Sequence, residues 1–141
     1  MVLMGLDPGG RRIGVALSDP TGLLATAHSV LRRTTLERDL EALRKIALDN
    51  DVEQVVVGLP LHLSGREGGE AERAREFASH VGEALGLPVE LVDERLSSVE
   101  AERQLMEARV RRDRWKTKLD AIAAAIVLQG HLDSLRYRRL P

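Results

Sequence analysis

The sequence predicts a mixed α/β fold in which one five-stranded sheet, an antiparallel meander continued by two parallel strands, carries helices on both faces. The first 31 residues hold three strand-like runs divided by Gly- and Pro-containing turns, with no helical periodicity between them. Two helix-then-strand units follow, and right-handed crossovers of that kind lay each new strand parallel to the first. The remainder of the chain has helical patterning alone.

Met1-Val-Leu-Met-Gly-Leu6 is a short apolar run, the pattern of a buried strand, and Asp7 stands at its end. Pro8-Gly9-Gly10 supplies turn chemistry, and Ile13-Gly-Val-Ala-Leu17 returns as a second strand, so Asp7 lies at the mouth of a hairpin. Asp19-Pro-Thr-Gly22 turns the chain into a third strand from Leu24 to Leu31. Thr34 and Glu37 have capping-box spacing, and Leu36, Leu40, Leu43 and Ala47 recur at helical intervals, predicting a helix from about Thr35 to Asn50. Val52 to Leu59 contains the β-branched run Val55-Val-Val57, suited to a strand covered on both faces and parallel to the first. Leu61 to Gly69 is polar and glycine-rich and is expected to be a mobile loop beyond that strand's C-terminal end, where open α/β sheets bind ligands.

A second helix is expected over Glu70 to Leu85, with Ala71, Ala74, Phe77, Ala78 and Val81 as its apolar stripe and Gly86 and Pro88 as its stop. Val89 to Val92 makes the fifth strand. Ser97 with Glu100 resembles a capping box opening a helix through about Ala108. Thr117 with Asp120 marks the start of the last helix, whose Leu119, Ile122, Ala123, Ile126, Val127 and Gly130 offer a small-residue face for close packing.

A chain of 141 residues is enough for one domain, 1–141, with a real core and too short for two. With 43% hydrophobic and 30% charged residues it reads as globular rather than disordered. No apolar segment reaches the roughly 18 residues that span a bilayer and the start lacks a signal-peptide pattern, so a soluble, cytoplasmic protein with no membrane partner is expected. The absence of cysteine excludes disulfides and thiolate zinc sites, and His28, His62, His80 and His131 are not at metal-ligand spacing. A metal would need carboxylates.

The net charge of −1 gives no bulk attraction to nucleic acid, but local patches exist. Arg109-Val-Arg-Arg-Asp-Arg-Trp-Lys-Thr-Lys118 is dense in positive charge, and Arg136, Tyr137, Arg138 and Arg139 repeat the theme. Such runs are commonly solvated linkers and frayed tails. Basic residues interleaved with an aromatic also suit backbone contacts and base stacking.

Three acids stand at element boundaries: Asp7 ending the first strand, Glu94 ending the fifth, and Asp120 in the expected first turn of the last helix. Each has a structural alternative. Asp7 can accept backbone bonds in a tight turn, Glu94 can pair with Arg95 or Arg103, and Asp120 can cap its helix. Strand ends at one edge of a sheet converge, however, and clustered carboxylates repel one another unless a cation neutralises them. Hard oxygen ligands of that kind select Mg²⁺ or Mn²⁺.

Four motifs carry a resemblance to a known family: Asp7-x-Gly9-x-x-Arg12-Ile13-Gly14-x-Ala16, then Val57-Gly58-Leu59-Pro60 with Gly65 in the loop, then Asp93-Glu94-Arg95, then Leu119-Asp120-x-Ile122-Ala123-Ala124. In this order and spacing the chain resembles, over nearly its whole length, the YqgF/RuvX family of ribonuclease H-like proteins, described as Holliday junction resolvases and as nucleases for the precursor of small-subunit ribosomal RNA. The resemblance implies a ribonuclease H-like fold with Asp7, Glu94 and Asp120 as metal-binding catalytic acids and Mg²⁺ or Mn²⁺ as cofactor. It departs from the family's pattern at Ser97-Ser98, where a Thr-containing pair is expected. The related RuvC resolvases carry an acid on the fourth strand, whereas Val55 to Pro60 has none, so Glu94 must substitute.

The implied chemistry is two-metal hydrolysis of a phosphodiester in structured nucleic acid, a branched DNA or the 5′ end of an rRNA precursor. Arg12 and Arg95 would steady the scissile phosphate. Arg111, Arg112, Arg114, Trp115, Lys116 and Lys118 would hold flanking backbone and stack bases. Two symmetric cuts in a junction would suit a homodimer. The competing readings are an RNA-binding or ribosome-associated module without catalysis, and a nucleotide phosphate-binding protein of the actin-like ATPase superfamily. The last needs a second lobe that this length does not provide.

Overall fold

The computed structural model describes residues 1–62, 64–95, 100, 103, 104, 106–109, 111 and 115–139, without the side chains of 115–117 and 137–139. The elements run β1 (Val2–Pro8), β2 (Arg12–Ser18), β3 (Ala25–Arg32), α1 (Leu36–Asp49), β4 (Val52–Leu59), α2 (Gly69–Leu85), β5 (Val89–Asp93) and α3 (Trp115–Arg139). The five strands form one sheet in the order β3-β2-β1-β4-β5. β1–β2 and β2–β3 pair antiparallel, and β4 lies parallel to β1 and β5 parallel to β4, as the strand and crossover pattern predicts.

Side chains alternate along each strand, and the two faces of this sheet are built from different stock. Met4 and Leu6 of β1, Ile13 and Val15 of β2, and Val55 and Val57 of β4 face Leu43 and Ala47 of α1 and Phe77, Ala78 and Val81 of α2. Fully burying a side chain of this size contributes about 1.5–3 kcal/mol, so this layer supplies most of the hydrophobic stabilisation. The opposite face carries Leu3, Ala16 and Val56 against Ala124, Val127, Leu128 and Leu132 of α3. Small residues there trade buried volume for close approach. A Cβ on Gly5 would lie 2.8 Å from the Leu128 Cβ and 3.1 Å from the Ala124 carbonyl oxygen, and one on Gly14 would overlap the Asp120 carbonyl.

Three sequence expectations are corrected. The cap of α1 is Thr35, whose hydroxyl accepts the Arg38 N–H at 3.2 Å, rather than Thr34. The buried Asp39 carboxylate engages the Thr34 N–H at 3.1 Å, which moves the cap one residue on. The last helix begins at Trp115, ahead of the Thr117 signal, so Trp115 to Lys118 belong to a helix rather than a linker and Asp120 lies in its second turn, beyond the orphan N–H groups that a cap would serve. The predicted face of α3 holds at Ala123 and Val127, but burial extends to Ala121, Ala124, Leu128 and Leu132 and leaves Gly130 exposed, with no described atom beyond its own helical turn within 4 Å of where a Cβ would stand. Leu61 and Glu67 form a β-bridge within the glycine-rich stretch, closed by the His62 N–H on the Arg66 carbonyl at 2.9 Å. The Ser97 cap lies outside the described residues, of which 100, 103, 104, 106 and 107 are helical.

Two glycines in contact with α3 or within it should respond oppositely to the same methyl group. Gly14→Ala forces α3 off β2 and is expected to cost about 1–3 kcal/mol or more, read as a lower urea midpoint at unchanged slope. Gly130→Ala meets open space among the described residues and is expected to stabilise by about 0.5–1 kcal/mol.

Candidate active site

The alternation that sorts the core also places the acids. On β1, Leu3, Gly5 and Asp7 share the α3 face, and Asp7 pairs across the hairpin with Gly14. On the other side Leu6 pairs with Val57, so the next residue of β4, Gly58, flanks Asp7 there. A glycine therefore stands on each neighbouring strand. Over Gly14 the α3 backbone descends at Asp120. Over Gly58 comes the Glu94 carboxyl, whose Oε2 occupies space that a Cβ on residue 58 would fill. The Glu94 N–H donates to the Leu59 carbonyl at 3.2 Å, extending the β4–β5 ladder one residue and pinning Glu94 beside Asp7.

Asp93 and Glu94 divide their roles. Asp93 binds Arg95, accepting from its Nε at 2.7 Å and its backbone N–H at 2.9 Å, which holds the Asp93 carboxyl below the usual carboxylate range. Arg103 engages Glu100 and Glu107. Glu94 turns instead to Asp7, at hydrogen-bonding range, with its Oε2 shielded from solvent. Burial first, then the bond to Asp7 and the charges of Asp7, Glu70 and Asp93, push Glu94 up to about 9. Burial also raises Asp7, the Glu94 hydrogen bond opposes it, and the charge on Asp120 adds to the rise. Burial and proximity thus disfavour charging both carboxyls of the pair at once, and Glu94 bears the larger rise.

Asp120 approaches closely enough to be felt by Asp7, yet its Oδ2 accepts from Arg12 Nε at 2.9 Å. The described residues accordingly hold no ready-made group of three or more metal-ligating side chains. The donor set nonetheless fits a hard cation: two carboxyls share a shielded position that disfavours charging both, and a third lies within electrostatic reach. Asp7 and Glu94 open into a cleft of about 590 Å³ whose walls include Gly9, Arg33, Arg73, Phe77 and His80. A smaller cleft of about 280 Å³ between β5 and α3 also reaches Glu94 and includes Arg95 and Ile126.

Of the basic residues predicted to bind substrate, Arg12 and Arg95 flank the acids and are already ion-paired, with Asp120 and Asp93. Arg111 and Lys118 are exposed. Arg112 and Arg114 lie outside the described residues, as do the side chains of Trp115 and Lys116. Sequence reasoning missed Arg33, which donates to the Gly9 carbonyl at 2.6 Å, lies 3.8 Å from Asp39 and packs 5.1 Å over the Phe77 ring in the cleft wall. Its one sequence signal is position, an arginine directly after a strand and before a helix cap.

A three-stranded meander continued by two parallel strands, with acids at the ends of β1 and β5 and on the helix that crosses them, defines a ribonuclease H-like protein. Solved structures agree on the fold. RuvC of Thermus thermophilus, in complex with Holliday junction substrate, superposes with a TM-score of 0.62 at 19% identity over 96% of both chains. Fowlpox virus resolvase, with substrate Holliday junction DNA, gives 0.58 at 12% identity over 96% of this chain and 99% of that one. Residues 1–134 match the family described as "RuvX: Holliday junction resolvase". A Myxococcus xanthus protein named "Putative pre-16S rRNA nuclease" is 49% identical over 136 residues, 96% of this chain and 90% of its own length. A Syntrophomonas wolfei protein of the same name is 48% identical over 133 residues, 94% of each. The chain belongs to the RuvX family, a family of nucleases.

A carboxyl whose folded pKa exceeds its unfolded one costs no stability below the unfolded value, here 4.5, and increasingly destabilises the fold as pH rises toward about 9. Glu94→Gln removes that cost. In EDTA its melting temperature is expected to exceed that of the wild type by roughly 2–8 °C at pH 8 and to converge with it near pH 4.5. A Glu94→Gln protein melting at or below wild type at pH 8 would contradict the charge conflict at this pair.

Proposed function

We propose that this protein is a metal-dependent endonuclease that hydrolyses phosphodiesters in structured nucleic acid, in the cytoplasm. The observation that carries the reading is the convergence of Asp7 and Glu94, with Asp120 beside them, at the mouth of a cleft in a chain of a nuclease family. Asp7 and Glu94 would hold the divalent cation, with Asp120 as the third carboxylate, and such oxygen donors favour Mg²⁺ or Mn²⁺. When bound as a pair, such ions activate a water and stabilise the leaving oxygen of an in-line displacement.

The chain's own residues supply the rest. Asp7 and Glu94 would hold the cation as carboxylates, so its binding would release to the medium any proton the pair carries. Arg12 and Arg95 offer guanidinium groups on either side of the acids, the geometry that clamps a phosphate. Arg111 and Lys118 would hold flanking backbone, with Arg112, Arg114, Trp115 and Lys116 extending the same contacts. Since phosphate chemistry is common to DNA and RNA, junction DNA and an rRNA precursor would engage the same acids. Symmetric cutting of a junction would need two copies of the chain, because its described residues provide one such acid set.

The test is a cleavage panel, four-way junction DNA beside pre-16S rRNA, with Mn²⁺ or Mg²⁺ supplied. The wild type is expected to cut at least one substrate, Asp7→Asn to lose about 10³-fold or more in rate while still binding it, and EDTA to silence both. Binding without cleavage on every substrate would favour a module that recognises nucleic acid without cutting it.

A further inference from the structure

Arg12 begins β2 and Asp120 lies on α3, 108 positions along the chain, and their ion pair ties these elements together. The backbone at Asp120 rests on Gly14, the pairing partner of Asp7, so residue 120 cannot leave Asp7 without lifting α3 from the sheet. Only rotation of its side chain decides which neighbour the carboxylate serves. Turned toward Asp7 and Glu94, it adds a third carboxyl to two that already crowd each other. Turned toward Arg12, it meets a cation, and this is the orientation observed. A guanidinium has one other strong natural partner at such a site, a phosphodiester, which it binds through two parallel hydrogen bonds. The Arg12 side chain is 42% exposed against 26% for Asp120, so an incoming phosphate reaches the arginine first.

We propose that Arg12 is a latch on Asp120: it holds the third carboxylate away from Asp7 and Glu94 until a phosphodiester claims the guanidinium, and the freed carboxylate then completes the cation site. This deepens the nuclease reading and rests on it. Because linkage is reciprocal, cation and phosphodiester tighten each other's binding through the exchange, and an idle enzyme holds its cation weakly. A half-exposed ion pair is a modest restraint, so the latch shifts affinity by roughly two- to five-fold.

Binding of Mn²⁺ to the purified full chain, followed by loss of the free-ion EPR signal without nucleic acid, tests the latch apart from activity. Wild type, Arg12→Gln, Asp120→Asn and the double variant are compared, each shown to melt cooperatively. Arg12→Gln is expected to bind Mn²⁺ roughly two- to five-fold more tightly than wild type, and the gain to vanish in the Asp120→Asn background. An equal gain in both backgrounds would mean only that a nearby positive charge has been removed, and it overturns the latch, as does no gain at all. Dimethyl phosphate gives a second measurement that needs no change at Arg12. It should tighten Mn²⁺ binding in the wild type and not in Asp120→Asn, and equal effects in the two overturn the latch. Mn²⁺ binding that is indifferent to Asp7→Asn overturns the cation site itself and the latch with it, whereas Asp7-dependent binding with no Arg12 effect removes the latch alone.

Discussion

Glu94 reaches Asp7 only because residue 58, on the strand between them, has no side chain. The Glu94 carboxyl fills the space where a Cβ would stand, and on the far side of Asp7 the α3 backbone does the same over Gly14. A parallel ladder extended one residue past β5 by the Glu94 N–H then leaves the carboxyl no other direction on that face. Fixed backbones and missing methyls, rather than attraction between the acids, bring the group together.

That arrangement carries an electrostatic cost, because burial and mutual repulsion keep Glu94 protonated far above the ordinary carboxyl range. The layer of α1 and α2 offsets it from the other side of the sheet, where Leu43, Phe77 and Val81 lock against Met4, Leu6, Ile13, Val55 and Val57. The division is physical. Bulky residues stabilise one face, and glycine and alanine on the other let a helix backbone and three carboxyls crowd over the strand ends.

The neighbouring charges are sorted by the same geometry. Arg95 is occupied by Asp93, its neighbour two positions back, which leaves Glu94 to face inward. Arg33 is held by the Gly9 carbonyl, Asp39 and the Phe77 ring, and so lends positive charge to the cleft wall without neutralising the acid pair. Arg12, Arg33 and Arg95 thus stand around the carboxyls, each already held by a partner.

Much of this was legible in the chain. The short apolar runs and the Gly- and Pro-containing turns between them pointed to the meander, the Val55-Val-Val57 run marked a strand covered on both sides, and the stripe Ala71, Ala74, Phe77, Ala78 and Val81 is the buried face of α2. Acids at the ends of apolar runs singled out the candidate residues, since a charge there is costly unless it is paired or bound. Local signals failed where a distant partner competed. The cap at Thr34 yielded to Asp39, and Thr117 and Asp120 have the spacing of a cap but lie inside a helix that begins earlier. Sequence by itself determined the strand and helix pattern, the candidate acids and the absence of thiol chemistry, because these follow from residue type and local spacing. Tertiary structure alone decided that Gly58 makes room for Glu94, that the Asp7 and Glu94 carboxyls meet, and that Asp120 answers to Arg12, because each depends on contacts between segments far apart in the chain.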